Sequence, residues 1–181
     1  GSTTTTLEIQ PEGTYNVGDV ILTDGSKVSV VNVATYTIDE NNKPIGVVAM
    51  ITDVNGVQTQ KVIGLQKSAS TLMWAPENTI GYNINFTEIQ VNKSGSSSSG
   101  YTFEGDLDGS DNWAAICARD PTGTANAATN YPIFNFANTY GTTAGLTGTD
   151  YENGWYVPSV AEVYEVYKNK EVIQTSLTKA S

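Results

Sequence analysis

The tightest constraint on the fold lies in residues 45–57, which read Ile-Gly-Val-Val-Ala-Met-Ile-Thr-Asp-Val-Asn-Gly-Val. An apolar run of this length, rich in β-branched residues, does not sit on a solvated surface. Ile45 to Thr52 therefore predicts a strand buried on both faces. It ends in Asp53-Val54-Asn55-Gly56, whose Asn-Gly pair suits the positive-φ positions of a hairpin turn. Val57 to Leu65 then returns as its partner. Two candidate strands precede this hairpin. Val17 to Leu22 is closed by the turn at Asp24-Gly25. Lys27 to Ile38 is rich in Val and Thr and partly alternates. The polar turn Asp39–Pro44 leads into the apolar run, so the first half reads as an antiparallel meander of about four strands.

The second half changes period. Asp111–Ala118 predicts a helix, with Asp111 or Asn112 as its N-cap and Trp113, Ile116 and Cys117 on one face. Pro132 to about Thr143 predicts another. Proline suits the first helical position, and Ile133, Phe136, Ala137 and Tyr140 share a face. Ser159 to about Leu177 predicts a third, entered through the capping box Ser159-Val160-Ala161-Glu162. Between the halves, Lys67 to Ile89 has no clear period, and Trp74, Tyr82, Ile84, Phe86 and Ile89 are its packing residues. Residues 93–100, Lys-Ser-Gly-Ser-Ser-Ser-Ser-Gly, have the composition of a flexible surface loop. Residues 1–13 are Thr-rich and end in Pro11-Glu12-Gly13, which predicts a flexible N-terminal arm. Gly1-Ser2 has the look of a scar from tag removal. The expectation is an α+β chain: an arm at 1–13 and one domain over 14–181.

Composition removes whole classes of function. There is no histidine, which excludes Ser-His-Asp and Cys-His catalysis and every His-ligated metal site. One cysteine, Cys117, excludes an intrachain disulfide. The formal net charge of −10 argues against nucleic acid and against anionic membrane surfaces. The longest apolar run falls far short of the ~20 residues needed to span a bilayer, so no membrane insertion is expected. Charged residues are only 15% of the chain, and their place is taken by 24 Thr, 16 Asn and 17 Gly. A surface of neutral polar residues points to an extracellular protein.

The segment Gly154-Trp155-Tyr156-Val157-Pro158-Ser159-Val160-Ala161-Glu162-Val163-Tyr164 resembles the Trp-x-Leu-Pro-Ser/Thr-x-x-Glu-Leu signature of a bacterial C-type-lectin-like family. That family is found at the C-terminus of Legionella collagen-like adhesins and in paralogous spirochaete surface proteins. The Val17-Gly18-Asp19-Val20-Ile21-Leu22-Thr23-Asp24-Gly25 stretch resembles its opening strand, and Ile45-Gly46-Val47-Val48 its next core strand. Gly105-Asp106-Leu107-Asp108-Gly109-Ser110-Asp111-Asn112-Trp113 is similar to its glycine-aspartate segment. The resemblance covers nearly all of residues 15–178. It implies a C-type-lectin-like fold and a secreted or surface-anchored adhesion module, lipoproteins included, that binds an extracellular protein or a glycan. The family continues past the second lectin helix into further strands, whereas this sequence stops at Ser181. The resemblance thus implies a truncated chain, a second polypeptide fragment, or a homo-oligomer in which another copy supplies those strands.

Three sets of residues are candidates for chemistry. Glu104, Asp106, Asp108 and Asp111 alternate around a Gly-Ser turn, and hard oxygens so placed suit a structural Ca²⁺. The plainer reading is an acidic turn in which Asp111 caps a helix. Tyr101, Tyr131 and Tyr151, flanked by Gly, Ser, Asn and Asp, are candidate ligand-binding surface residues. Arg119, the only arginine, could clamp a carboxylate on a ligand or pair with Asp120 or Glu104. Trp74, Trp113 and Trp155 read as structural, and Cys117 as core. Glu77, Glu88, Glu104 and Glu152 are the scattered carboxylates available to a glycoside hydrolase. The expectation is a non-catalytic extracellular binding or adhesion module. The alternatives are an assembly subunit completed by a partner's strands and a carboxylate-based hydrolase.

Overall fold

The computed structural model describes residues 14–54 and 56–181; the expected arm at 1–13 and Asn55 lie outside the described residues. The chain is α+β, with antiparallel sheets in the first half and helices in the second. Strands β1 (Val20–Leu22), β2 (Lys27–Val28), β3 (Pro44–Val54) and β4 (Val57–Gly64) form one antiparallel sheet in the order β2-β1-β3-β4. The apolar run is its central strand. Val47, Val48 and Ala49 are all at most 2% exposed, so β3 is buried on both faces. A register shift between Val48 and Met50 bends the β3–β4 ladder, so that Met50 faces Lys61.

The expected second strand over Lys27–Ile38 is corrected. Pairing stops at Val28, and Val30–Thr35 is a 3₁₀ helix. The cause is the buried carboxylate of Asp19. Its Oδ1 accepts the Val30 N–H at 2.8 Å, removing a donor from any ladder and turning the chain. Asp19 Oδ2 accepts Asn16 N–H and pairs with Lys27, both at 2.9 Å, so this fully enclosed acid ties the loop before β1 to β2.

The segment without clear period forms the one-turn helix α1 (Ile80–Asn83) and a 3₁₀ turn at Thr87–Ile89. The Ser/Gly-rich stretch expected as a loop is also corrected. Strands β5 (Val91–Ser96) and β6 (Gly100–Gly105) pair as a separate hairpin. Gly95 and Gly100 take φ of 88° and 82°, and the serines close the turn on one another, as in Ser96 N–H to Ser99 Oγ at 3.1 Å. A composition that reads as a flexible loop is here a hairpin tip and the strand ends that flank it.

A 3₁₀ turn at Gly109–Asp111 leads into α2 (Asn112–Arg119). Of the two expected caps, Asp111 takes the N-cap position of α2 but makes no side-chain cap bond; Asn112 is the first helical residue, and Asp108 caps the preceding turn through Ser110 N–H. Short helices α3 (Pro121–Thr124) and α4 (Ala127–Asn130) follow. The helix expected over 132–143 is split into α5 (Pro132–Asn138) and α6 (Tyr140–Thr143), and the last into α7 (Val160–Lys168) and α8 (Lys170–Ala180). At the first break the Thr139 hydroxyl bonds the Asn135 carbonyl at 2.9 Å. At the second, Asn169 Nδ2 bonds Glu165 O at 3.1 Å.

Three apolar clusters fill the molecule. One lies between α8 and a sheet face, joining Ile173 and Ala180 to Val20, Val47 and Ala49. The second lies on the opposite face, where Tyr140 and Leu146 meet Ile21, Ile45 and Val48. The third joins Ile116, Tyr131, Phe134 and Phe86. In it Trp113 stacks on Phe134 with centroids 5.3 Å apart, as expected of a structural tryptophan.

Candidate functional site: an apolar cleft beside an edge strand

The capping box of α7 forms as the sequence predicts. Ser159 Oγ accepts the Glu162 N–H at 3.1 Å, and Glu162 Oε2 accepts the Ser159 N–H at 2.7 Å. The structure adds what the motif does not carry. Glu162 is 3% exposed, and its two oxygens serve four donors. Oε2 also takes the Gly109 N–H at 2.9 Å. Oε1 takes Lys61 Nζ at 2.7 Å and the Tyr156 hydroxyl at 2.8 Å. A side chain at position 109 would collide with Ser159 N and Val157 O, each 2.6 Å from its Cβ, so Gly109 admits the turn to the α7 N-terminus.

Electrostatics follow from these contacts. Burial pushes the Glu162 carboxyl up, but Lys61, the Ser159 and Gly109 amides and Tyr156 outweigh it and hold it below the usual carboxylate value. Desolvation pulls Lys61 down, while Glu162 and Asp108 more than reverse it, so its ammonium is held above its ordinary value. Burial, then the Glu162 carboxylate, raises the Tyr156 phenol well above its normal range. Lys61 directs its ammonium at Leu107 O (2.7 Å), Asp108 Oδ1 (3.3 Å) and Glu162 Oε1 (2.7 Å). The three acceptors match its three protons. The cluster is a brace joining β4, the Leu107–Gly109 turn and α7.

This brace stands at one end of a cleft of about 690 Å³. It is lined by Met50, Val62 and Ile63 of the sheet, by Phe136 and Tyr140 of α5 and α6, and by Trp155, Tyr156 and Val163. Tyr140 fixes the corner, since its hydroxyl accepts Gln66 N–H at 2.9 Å and its ring meets Trp155 with centroids 4.4 Å apart. Strand β4 borders the cleft as the sheet's outer strand; among the described residues it pairs only with β3. A second, shallower groove of about 390 Å³ lies between the β5–β6 hairpin and α7, lined by Tyr101, Phe103, Val160, Val163, Tyr164 and Tyr167. Val163 lines both, so the two grooves meet on α7.

The expected ligand residues do not converge. Tyr151 lines the main cleft. Tyr101 is 42% exposed in the second groove, with Lys93 Nζ 3.8 Å above its ring. Tyr131 is corrected: it is fully buried, its hydroxyl donating to Asp120 Oδ2 at 2.7 Å and accepting Gly81 N–H at 3.1 Å. An enclosed phenol bound at both ends offers no platform to a ligand. Arg119 is exposed, lines neither groove and makes no ion pair among the described residues. Its expected partner Asp120 is 4% exposed and committed to Tyr131 and Gly123 N–H. Cys117 is half-buried rather than core; Ile116 takes the enclosed position on α2.

The acidic turn also divides. Asp108 Oδ1 is taken by Ser110 and Lys61. Glu104 lies on exposed β6, where its charge acts on Lys168. Asp111 is exposed, while Asp106 Oδ1 accepts the Asp108 N–H at 2.8 Å. Among the described residues no three His, Cys, Asp or Glu side chains come together to hold a metal ion. Glu77 and Glu88 are exposed, and the Glu152 carboxylate is bound to Gly148 N–H at 2.8 Å. Lys61 and Tyr156, which shape the cleft, carry no signal in the sequence, because their roles depend on the register of β4 against β3 and on where α7 docks. No helix among the described residues is long and apolar enough to cross a membrane. Compared with protein-family models, with characterised proteins and with solved structures, the chain gives no match.

Proposed function

We propose that this chain is a non-catalytic binding module of the extracellular bacterial surface that takes its ligand, a protein or a glycan, in the cleft beside β4. The observation that carries the reading is the pairing of a large apolar cleft with a charged group that is already spent. The cleft offers about 690 Å³ of space walled by aromatic and aliphatic side chains. The Lys61–Glu162–Tyr156 brace at its end has its protons and lone pairs engaged inside the protein, so it shapes the wall rather than acting on a substrate. The resemblance of the Trp155–Glu162 segment to the lectin-like signature agrees with a binding role, though a fold of that kind does not fix its ligand.

The test is an array of extracellular proteins and glycans probed with the whole chain and with Val163→Asp, a change at a half-exposed position on the cleft wall. The expected result is saturable binding without turnover, weakened at least tenfold by the variant. Turnover of chromogenic glycosides, abolished by a single Glu→Gln change, would overturn the reading in favour of a hydrolase.

A second reading is an assembly subunit in which a partner's strand extends the sheet. It is favoured by the position of β4, an outer strand that among the described residues pairs only with β3 and that borders an apolar cleft. Light scattering separates the two: a concentration-independent dimer favours assembly, a monomer that binds on the array favours the module.

A further inference from the structure

We propose that the groove between the β5–β6 hairpin and α7 is a docking surface for an acidic peptide segment, which seats an apolar side chain in the groove and pairs its carboxylates with Lys93 and Lys170. The sequence of α7 sets Val160, Val163, Tyr164 and Tyr167 at helical spacing, and these make one apolar face. The hairpin packs on part of that face, where Phe103 of β6 meets Tyr164 edge-on with centroids 5.9 Å apart. Val160, Val163 and Tyr167 stay 48–58% exposed, and Tyr101 of the hairpin is 42% exposed. All of them line the same groove. Large apolar side chains gathered at one exposed place mark a contact surface, whereas single exposed ones do not.

Charge selects the occupant. The chain carries a net charge of −10, yet no Asp or Glu lines this groove. The charged groups set over its rings are lysines. Lys93 Nζ stands 3.8 Å from the centroid of Tyr101, Lys170 Nζ 4.4 Å from that of Tyr167, and Lys168 Nζ 5.3 Å from that of Tyr164. The rings that carry them line one groove, so the three ammonium groups flank one apolar space. Lys168 is matched by Glu165 at 2.6 Å, and the Glu104 charge also acts on it. Lys93 and Lys170 are exposed and make no ion pair among the described residues, so they are open to carboxylates from outside. A glycan fits less well. Its hydroxyls would lie against Val160, Val163 and Phe103, where the polar side-chain groups on the walls are tyrosine hydroxyls. A second copy also fits less well, because a two-fold contact would bring two lysine-flanked grooves together between chains that each carry −10. An acidic segment with an apolar anchor avoids both penalties: the anchor holds and the flanking charges select. The surface is separate from the cleft beside β4. The two share Val163, whereas Tyr101, Tyr164 and Tyr167 line this groove alone.

The experiment selects binders of the whole chain from a phage-displayed library of random peptides and measures the selected peptides by fluorescence anisotropy. The expected result is enrichment of sequences in which Asp or Glu flanks an apolar residue, with an affinity that falls as NaCl rises from about 50 to about 300 mM. Lys93→Gln combined with Lys170→Gln changes two exposed positions. It should keep the melting temperature and weaken binding by about tenfold or more. Tyr167→Ala, which removes a ring from the groove and touches nothing in the main cleft, should weaken it as well. No enrichment, enrichment of basic or uncharged peptides, or binding that either variant leaves unchanged would overturn the proposal. So would polygalacturonate, an acidic glycan probe, bound through the same two lysines in place of peptides, or a dimer in light scattering that the double variant dissociates.

Discussion

Two buried carboxylates do the same job on opposite sides of this molecule, and the regions they organise differ. Asp19 is fully enclosed and joins Asn16, Val30 and Lys27. Glu162 is nearly so and joins Ser159, Gly109, Tyr156 and Lys61. Each satisfies backbone amides that would otherwise be stranded, and each is matched by a lysine from a strand. Around Asp19 the chain closes, because α8 lies across the sheet and Ser176 donates to Gly18 O at 2.7 Å. Around Glu162 it stays open, because residues of β4 and α7 line a common cleft beside the Lys61–Glu162 pair. The lesson is that a saturated buried acid fixes where elements meet, not whether the space beside it is filled. The helix that docks next to it decides that.

The comparison can be broken by removing each acid. Asp19→Ala strands two backbone amides and takes from Lys27 its only carboxylate among the described residues, leaving it the Thr14 carbonyl, and should cost about 4 kcal/mol. Urea unfolding measures it; a cost under about 1 kcal/mol would mean the closed side does not depend on its acid. Glu162→Ala should cost somewhat less, about 3 kcal/mol, because Lys61 keeps Asp108 and Leu107 O. If Glu162→Ala proves the more damaging, the open side is the better-keyed one and the ranking reverses.

The pH dependence sharpens the same contrast. Burial pushes the Glu162 carboxyl up, but Lys61 and the Ser159 amide outweigh it and hold the group below its ordinary value of 4.5 in the folded state. Its contribution is therefore fully present above that value and is lost as pH falls through the lower folded value. Wild type should lose stability more steeply below pH 4.5 than Glu162→Gln does, measured as the urea midpoint against pH. At the alkaline end, burial and then Asp120 push the Tyr131 phenol up to about 12 from 10.0. Its contribution holds below pH 10 and is lost as pH rises toward 12, so Tyr131→Phe should flatten that limb. The third and smaller effect is Tyr140→Phe, which removes the acceptor of Gln66 N–H and should cost about 1 kcal/mol. Smallest of all, Val163→Asp should change stability by no more than about 0.5 kcal/mol while reducing ligand binding, because its side chain is half in solvent.

The elements most legible in the sequence were those whose signal is local. The apolar run at Ile45–Thr52 is β3, its partner is β4, and Ser159-Val160-Ala161-Glu162 caps α7 with both reciprocal bonds. Where the reading failed, a distant group had intervened. Val30–Thr35 lies in a Val- and Thr-rich stretch that reads as a strand, yet Asp19 captures the Val30 amide and the segment is a 3₁₀ helix. Tyr131 sits among Asn and Pro as a surface tyrosine would, yet Asp120 and Gly81 offer it partners in the interior. Residues 93–100 read as a flexible surface loop because composition counts side chains and not backbone pairing.

The sequence by itself determined the α+β order, the central buried strand, the start of α7 and the lack of any histidine chemistry. These rest on period, capping and composition, which act between neighbours in the chain. Only the tertiary structure decided that Lys61 meets Glu162, 101 positions apart, and that β4 borders an open cleft. Those outcomes depend on register across the sheet and on where helices dock, and burial makes such long-range contacts strong without leaving a local pattern to read.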